Sequence, residues 1–200
     1  VDVGRFVFKN AFNCSRHLGT ERHRGVESPD LFGQLRNRLL GRRVHRGTGD
    51  VFASQLVSLL LDYPDEQLIE RSTMLSEVVA DLPEAMAQPL TRLLDHLAST
   101  PLGDLQRDYV ETFDLTRRRA LHLTYFTHGD TRKRGVALVQ FKQAYRKYGV
   151  EIGEEELPDH LCVLLEFGAL HDLDTAWKLL NDHRVGIELL HRALKKSDSP

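Results

Sequence analysis

From Val51 onward, apolar side chains in this 200-residue chain recur at intervals of three and four, and no run sustains the two-residue alternation of a half-buried strand. That pattern confines the chain to helices packed on helices. Phe52, Leu56, Leu59, Leu60 and Tyr63 form a first stripe, ended by Pro64. Leu68, Leu75, Val79 and Leu82 mark a second helix, with Asp65 and Glu66 suited to its first turn. Pro83 opens a third, in which Met86, Leu90, Leu93 and Leu97 share one face until Pro101 and Gly103 break it. Later, Leu138, Phe141, Tyr145 and Tyr148 predict a helix stopped by Gly149. Leu161, Leu164, Leu165 and Gly168 predict a buried helix behind Pro158. Leu173, Trp177 and Leu180 predict another, and Ile187, Leu190 and Leu194 the last. The expectation is an all-α, single bundle-like domain of eight to nine helices over residues 50–200.

Residues 104–135 are the densest part of the chain in rings and charges. Leu105, Tyr109 and Phe113 stand at i, i+4 and i+8, along one side of a helix. Asp114 and the basic run Arg117, Arg118 and Arg119 follow. A second aromatic segment, residues 121–126, leads to a break at Gly129 and Asp130. The spacing predicts helix, short basic link, helix, sharp turn and a further helix. Rings at this spacing either fill the core or line a groove.

Residues 1–49 differ in kind. Residues 1–50 hold ten Lys/Arg against five Asp/Glu, whereas the remaining 150 hold seventeen against twenty-four. Only residues 29–40 suggest a helix, with Leu31, Leu35 and Leu39 on one side, and residues 41–50 read as a flexible linker. The expectation is a poorly structured basic leader, either genuine or translated from upstream of the true start. As a nucleic-acid arm it lacks the aromatic interleaving of a strand-binding surface, so no nucleic-acid partner is expected. The C-terminus reads as short of a further element. Two cysteines, Cys14 and Cys162, make no disulfide framework and fit a cytoplasmic setting. No apolar run reaches the ~18–20 residues of a membrane span.

Catalytic patterns are missing. His122 and His128 are six apart, and His160 and Cys162 two apart, so neither pair has the i, i+4 spacing of a helical zinc site, and no metal site is expected. GxSxG, SxxK, CxxC, GxGxxG and GxxxxGK[ST] are all absent. Two segments remain. In residues 129–135, Asp130 or Thr131 is placed to cap a helix whose first turn carries Arg132, Lys133 and Arg134. Such a terminus suits either phosphate, as in a nucleotide or molybdopterin, or plain solvation. In residues 156–161, Pro158 suits the first position of a helix, Asp159 its first turn, and an Asp159–His160 hydrogen bond would fix one tautomer.

Together, YVETFD from Tyr109, LTYFTHGDTRKRG ending at Gly135, LPDHL from Leu157, and LLLDYPDE from Leu59 resemble the NarJ-type branch of the TorD/DmsD-like redox-enzyme maturation chaperones. The resemblance covers about residues 52–200. It implies an all-helical, non-enzymatic assembly chaperone that binds the catalytic α subunit of respiratory nitrate reductase, including its N-terminal segment. The client would be held for molybdenum cofactor insertion and membrane docking. No cofactor would be bound stably, and contact with molybdenum cofactor would be transient and through the client. The resemblance places Tyr109, Phe113, Asp114, Tyr125, Pro158, Asp159 and His160 in or beside a client-peptide groove. Tyr109 and Phe113 would supply apolar contact. Asp114 and Asp159 would meet basic client residues or brace neighbouring arginines, and His160 would make binding respond to pH near neutrality. Arg132 and Arg134 remain candidates for phosphate or cofactor contact. The leader has no counterpart in the family pattern, and a helical nucleic-acid-binding or regulatory module using it is the alternative.

Overall fold

The computed structural model describes residues 46–153 and 156–197, so the basic leader and the helix expected over residues 29–40 lie outside the described residues. Among the described residues the fold is helical throughout, with nine α-helices and no strand. They are α1 (Arg46–Leu60), α2 (Glu66–Ala80), α3 (Glu84–Ser99), α4 (Leu102–Tyr109), α5 (Tyr125–His128), α6 (Arg132–Arg146), α7 (Leu161–Leu170), α8 (Leu173–Asp182) and α9 (Arg184–Lys195).

Helix α1 begins inside the stretch that reads as a linker. It packs chiefly against α7, whose Leu161, Cys162, Val163, Leu164, Phe167 and Gly168 are all buried. A ten-residue helix with six buried positions and an exposed leucine at its end has little polar face to pattern, which is why its periodicity is faint. The Ser58 hydroxyl donates to the Cys162 carbonyl at 2.9 Å, pinning the two helices where both are buried.

Local chemistry fixes the helix ends. Asp65 caps α2 by accepting from the Leu68 amide at 2.8 Å, and Asp172 caps α8 by accepting from Thr175 at the same distance. Pro83 and Pro101 stand immediately before α3 and α4. Gly149, with φ of 75°, supplies the left-handed residue after α6 that a side chain would strain.

Two apolar clusters result. Leu56, Leu75, Val79, Leu94 and Leu105 belong to one, built on α1 to α4. Leu123, Phe141, Tyr145, Leu164, Phe167 and Leu190 belong to the other, built on α6, α7 and α9.

Four local expectations need correction. Helix α4 stops at Tyr109 and passes into a π turn, Val110–Asp114, closed by the Leu115 amide donating to the Val110 carbonyl at 3.0 Å. Residues 121–123 are not helical. Leu123 N donates to Asp159 O at 3.1 Å and Leu161 N to Leu121 O at 2.8 Å, a single antiparallel bridge between His122 and His160. Leu121 and Leu123 are buried on either side of His122, an alternation too short to stand out in the sequence. Pro158 and Asp159 precede α7 rather than opening it, because the helix starts at Leu161. Finally, α8 faces the core through Ala176 and Leu179, leaving Trp177 47% exposed. Helices α7 and α8 approach so closely that a Cβ on Gly168 would lie 2.7 Å from the Ala176 Cβ, so only small residues fit that seam.

Candidate functional site

The rings of the central stretch neither sink into the core nor stand free. Tyr63, Tyr109 and Phe113 are all half-buried. Tyr109 meets Tyr63 edge-on at 5.4 Å between centroids and Phe113 at 4.9 Å, forming a ladder of three rings. Its hydroxyl donates to the Leu61 carbonyl at 3.2 Å, and the Gln106 amide donates to the Pro64 carbonyl at 3.1 Å. These two bonds tie α4 to the connection between α1 and α2. A shallow cleft lined by Leu59, Asp62, Tyr63, Leu68 and Arg71 adjoins the ladder. Asp114, at the end of the π turn, is exposed. Desolvation pushes its carboxyl up from the ordinary range, and the charge of His122 opposes that shift.

Asp62, which lines the cleft with Tyr63, belongs to a set of three carboxylates from separate parts of the chain that influence one another. Burial raises Asp62 to about 6, opposed by a hydrogen bond from the Tyr63 amide and aided by Asp65. Burial and then Asp62 raise Glu156 to about 7. Burial, then Glu156 and Asp62, raise Glu166 to about 7. Among the described residues none of the three is in an ion pair. Sequence reading missed this group, since nothing local marks an aspartate and two glutamates that meet only after folding.

The second set of expected residues gathers around Asp159, which is 0% exposed. Its Oδ2 accepts from the Thr124 amide at 3.1 Å and from the Thr124 hydroxyl. Its Oδ1 lies 3.5 Å from His122 Nδ1 and 3.8 Å from Arg134 Nη2. Burial alone would raise this carboxyl, but His122, the Thr124 hydroxyl and the charge of Arg134 together hold it at about 2. Asp159 therefore braces an arginine and a histidine, and cannot reach a client. Its histidine partner is His122, across the bridge. His160 packs edge-on against His122 at 5.0 Å. Burial, then the charge of His122, lower His160 to about 3, against the pull of Asp159, so it stays neutral and the expected titration near pH 7 is absent.

Pro158 is buried, and its carbonyl accepts from the Tyr145 hydroxyl at 2.7 Å. Arg134 also faces Asp130 at 3.6 Å and lies 5.4 Å from the centre of the Tyr125 ring. Its charge is thus matched by carboxylates, whereas Arg132 is exposed on the first turn of α6. Thr131 stands before α6 without capping it; its hydroxyl donates back to the His128 carbonyl at 2.7 Å. The structure brings together Tyr125, Arg134, Pro158, Asp159 and His160, and separately Tyr109 and Phe113. Among the described residues no group of three His, Cys, Asp or Glu side chains is arranged to hold a metal ion, and no helix is long and apolar enough to cross a membrane.

The fold is shared with a structure described as a redox enzyme maturation protein. A solved structure of that description from Archaeoglobus fulgidus superposes with a TM-score of 0.55 over 80% of this chain and 89% of its own, at 23% identity. The sequence profile described as nitrate reductase delta subunit matches residues 79–200, and the chain belongs to that family. It is 34% identical over 147 residues to the nitrate reductase molybdenum cofactor assembly chaperone NarJ of Escherichia coli K12, covering 72% of this chain and 62% of that protein. It is 31% identical to the NarJ of Bacillus subtilis, covering 72% and 78%. The nitrate reductase-like protein NarX of Mycobacterium tuberculosis H37Rv is 39% identical over 147 residues, but the match spans 22% of NarX.

Proposed function

We propose that this chain is an assembly chaperone for respiratory nitrate reductase, acting in the cytoplasm without chemistry of its own. It would bind the catalytic α subunit through that subunit's N-terminal segment and hold it for molybdenum cofactor insertion and membrane docking. The cofactor would remain the client's, with contact to this chain only in passing. The observation that carries the reading is the ladder Tyr63, Tyr109 and Phe113, three half-buried rings beside a cleft. Rings in that state still have apolar surface to bury, which is what an amphipathic client helix offers. In this reading exposed Asp114 would meet basic client residues and half-buried Tyr125 would add a further ring contact, while buried Pro158 would support the site from beneath.

Calorimetry with a synthetic peptide of the α subunit's N-terminal segment tests this. Wild type should bind, and Tyr109→Ala with Phe113→Ala should weaken binding at least tenfold while the domain stays folded. Because the rings are half-buried, the double variant should lose less than the ~3–5 kcal/mol of a fully buried ring. Unchanged affinity in a folded double variant would reject the groove.

A further inference from the structure

Helix α5 has only four residues, Tyr125–His128. A helix of one turn has no stability of its own, so its orientation comes from what grips it. Helix α9 grips one side: a Cβ on Gly186 would lie 2.9 Å from the Leu123 carbonyl oxygen and 3.3 Å from the Phe126 ring. Arg134 grips the other. Its Nε donates to the Thr124 hydroxyl at 3.3 Å, immediately before α5, and its guanidinium carbon lies 5.4 Å from the Tyr125 ring centre. The same guanidinium faces Asp159 at 3.8 Å and Asp130 at 3.6 Å. The Arg134 side chain is only 16% exposed, so it is poorly placed to take an outside ligand.

We propose that Arg134 is a positioning residue, which fixes the half-buried Tyr125 ring from beneath, through Thr124 and Asp159, and so sets how Tyr125 meets the client without touching the client itself. This rests on the groove reading given above. A planar guanidinium can lie against a ring and face a carboxylate at once, whereas an ammonium on a flexible stem supplies charge without that plane. The role is therefore one of shape as well as charge.

Two variants separate positioning from stability. Arg134→Met with Asp159→Asn removes both charges while an amide oxygen still accepts from Thr124, so the fold should survive better than with either charge removed alone. Arg134→Lys keeps the charge and discards the plane. Both should move the Tyr125 ring resonances in the free protein, and both should weaken the α-subunit peptide, the first about tenfold and the second about threefold. Should the double variant fail to fold, Arg134→Lys alone decides. Unmoved Tyr125 resonances, or affinity within twofold of wild type in a folded variant, would overturn the inference. Failure of the groove itself looks different: wild type would not bind the peptide, although the Tyr125 resonances would still respond to Arg134.

Discussion

Two buried polar groups flank the same helix and answer the cost of desolvation in opposite ways. Around Asp159, which lies just before α7, a carboxylate is met by Thr124, His122 and Arg134, and its pKa sits at about 2 despite burial. At Asp62, Glu156 and Glu166, carboxylates meet mainly one another, and their values rise to about 6, 7 and 7 after burial. The first arrangement has opposite charge inside the fold, with Asp159 Oδ2 hydrogen-bonded to Thr124 and Oδ1 held at ion-pair distance, 3.5 Å from His122 and 3.8 Å from Arg134, without a hydrogen bond. The second has no such compensation among the described residues, and its carboxyls hold their protons to higher pH instead.

The contrast breaks most visibly at Asp159. Asp159→Ala leaves Arg134 and His122 facing each other without their shared carboxylate, and loss of one buried partner costs about 3–5 kcal/mol. The expected drop in melting temperature is roughly 10 °C for a domain of this size. A drop below about 2 °C would show that the group is solvated and is not a brace.

The pH profile sharpens the contrast next. For a carboxyl raised by folding, the native state holds more protons than the unfolded one between the ordinary value, about 4, and the folded value, so stability falls as pH rises through that window. With Glu156 and Glu166 near 7 and Asp62 near 6, chemical denaturation should show stability declining from about pH 4 to pH 7 and levelling off above it. Asp159 has the opposite sign. Its contribution is present above about pH 4 and is lost as pH falls toward 2. Glu166→Gln should therefore recover on the order of 1 kcal/mol at pH 8 and nothing at pH 4, a difference of about 2–4 °C. Equal effects at the two pH values would remove the carboxylate group from the account.

Much of the helical order was readable because each helix advertises its own face and its own ends. Met86, Leu90, Leu93 and Leu97 on α3, and Gly149 after α6, are local signals, and the structure honours them. The rings of Tyr109 and Phe113 meet as their four-residue spacing suggests, although a π turn begins between them. What sequence reading lost lies between segments. Asp159 and His160 are neighbours in the chain, and adjacency suggested their pairing. The partner facing the Asp159 carboxylate is His122, brought there by a bridge only one residue pair long. The spacing of Leu173, Trp177 and Leu180 marks the helix, but the α7–α8 seam admits only small side chains, so Ala176 faces it and Trp177 stands exposed. The carboxylate group joins residues about a hundred positions apart, a relation that no periodicity records.

The smallest expected effect tests whether charge itself or its burial carries the comparison. Arg184 and Glu188 form a short pair, 2.7 Å, on the outer face of α9, where the arginine side chain is 75% exposed. Its geometry is tighter than any distance from the Asp159 carboxylate to Arg134 or His122, so distance alone would rank it as the stronger contact. Water and mobile ions surround it, however, and both ionised groups are nearly as well solvated in the unfolded chain. Arg184→Ala should cost less than about 0.5 kcal/mol, and less still at high salt. A loss approaching that of Asp159→Ala would mean that proximity outweighs desolvation in this fold.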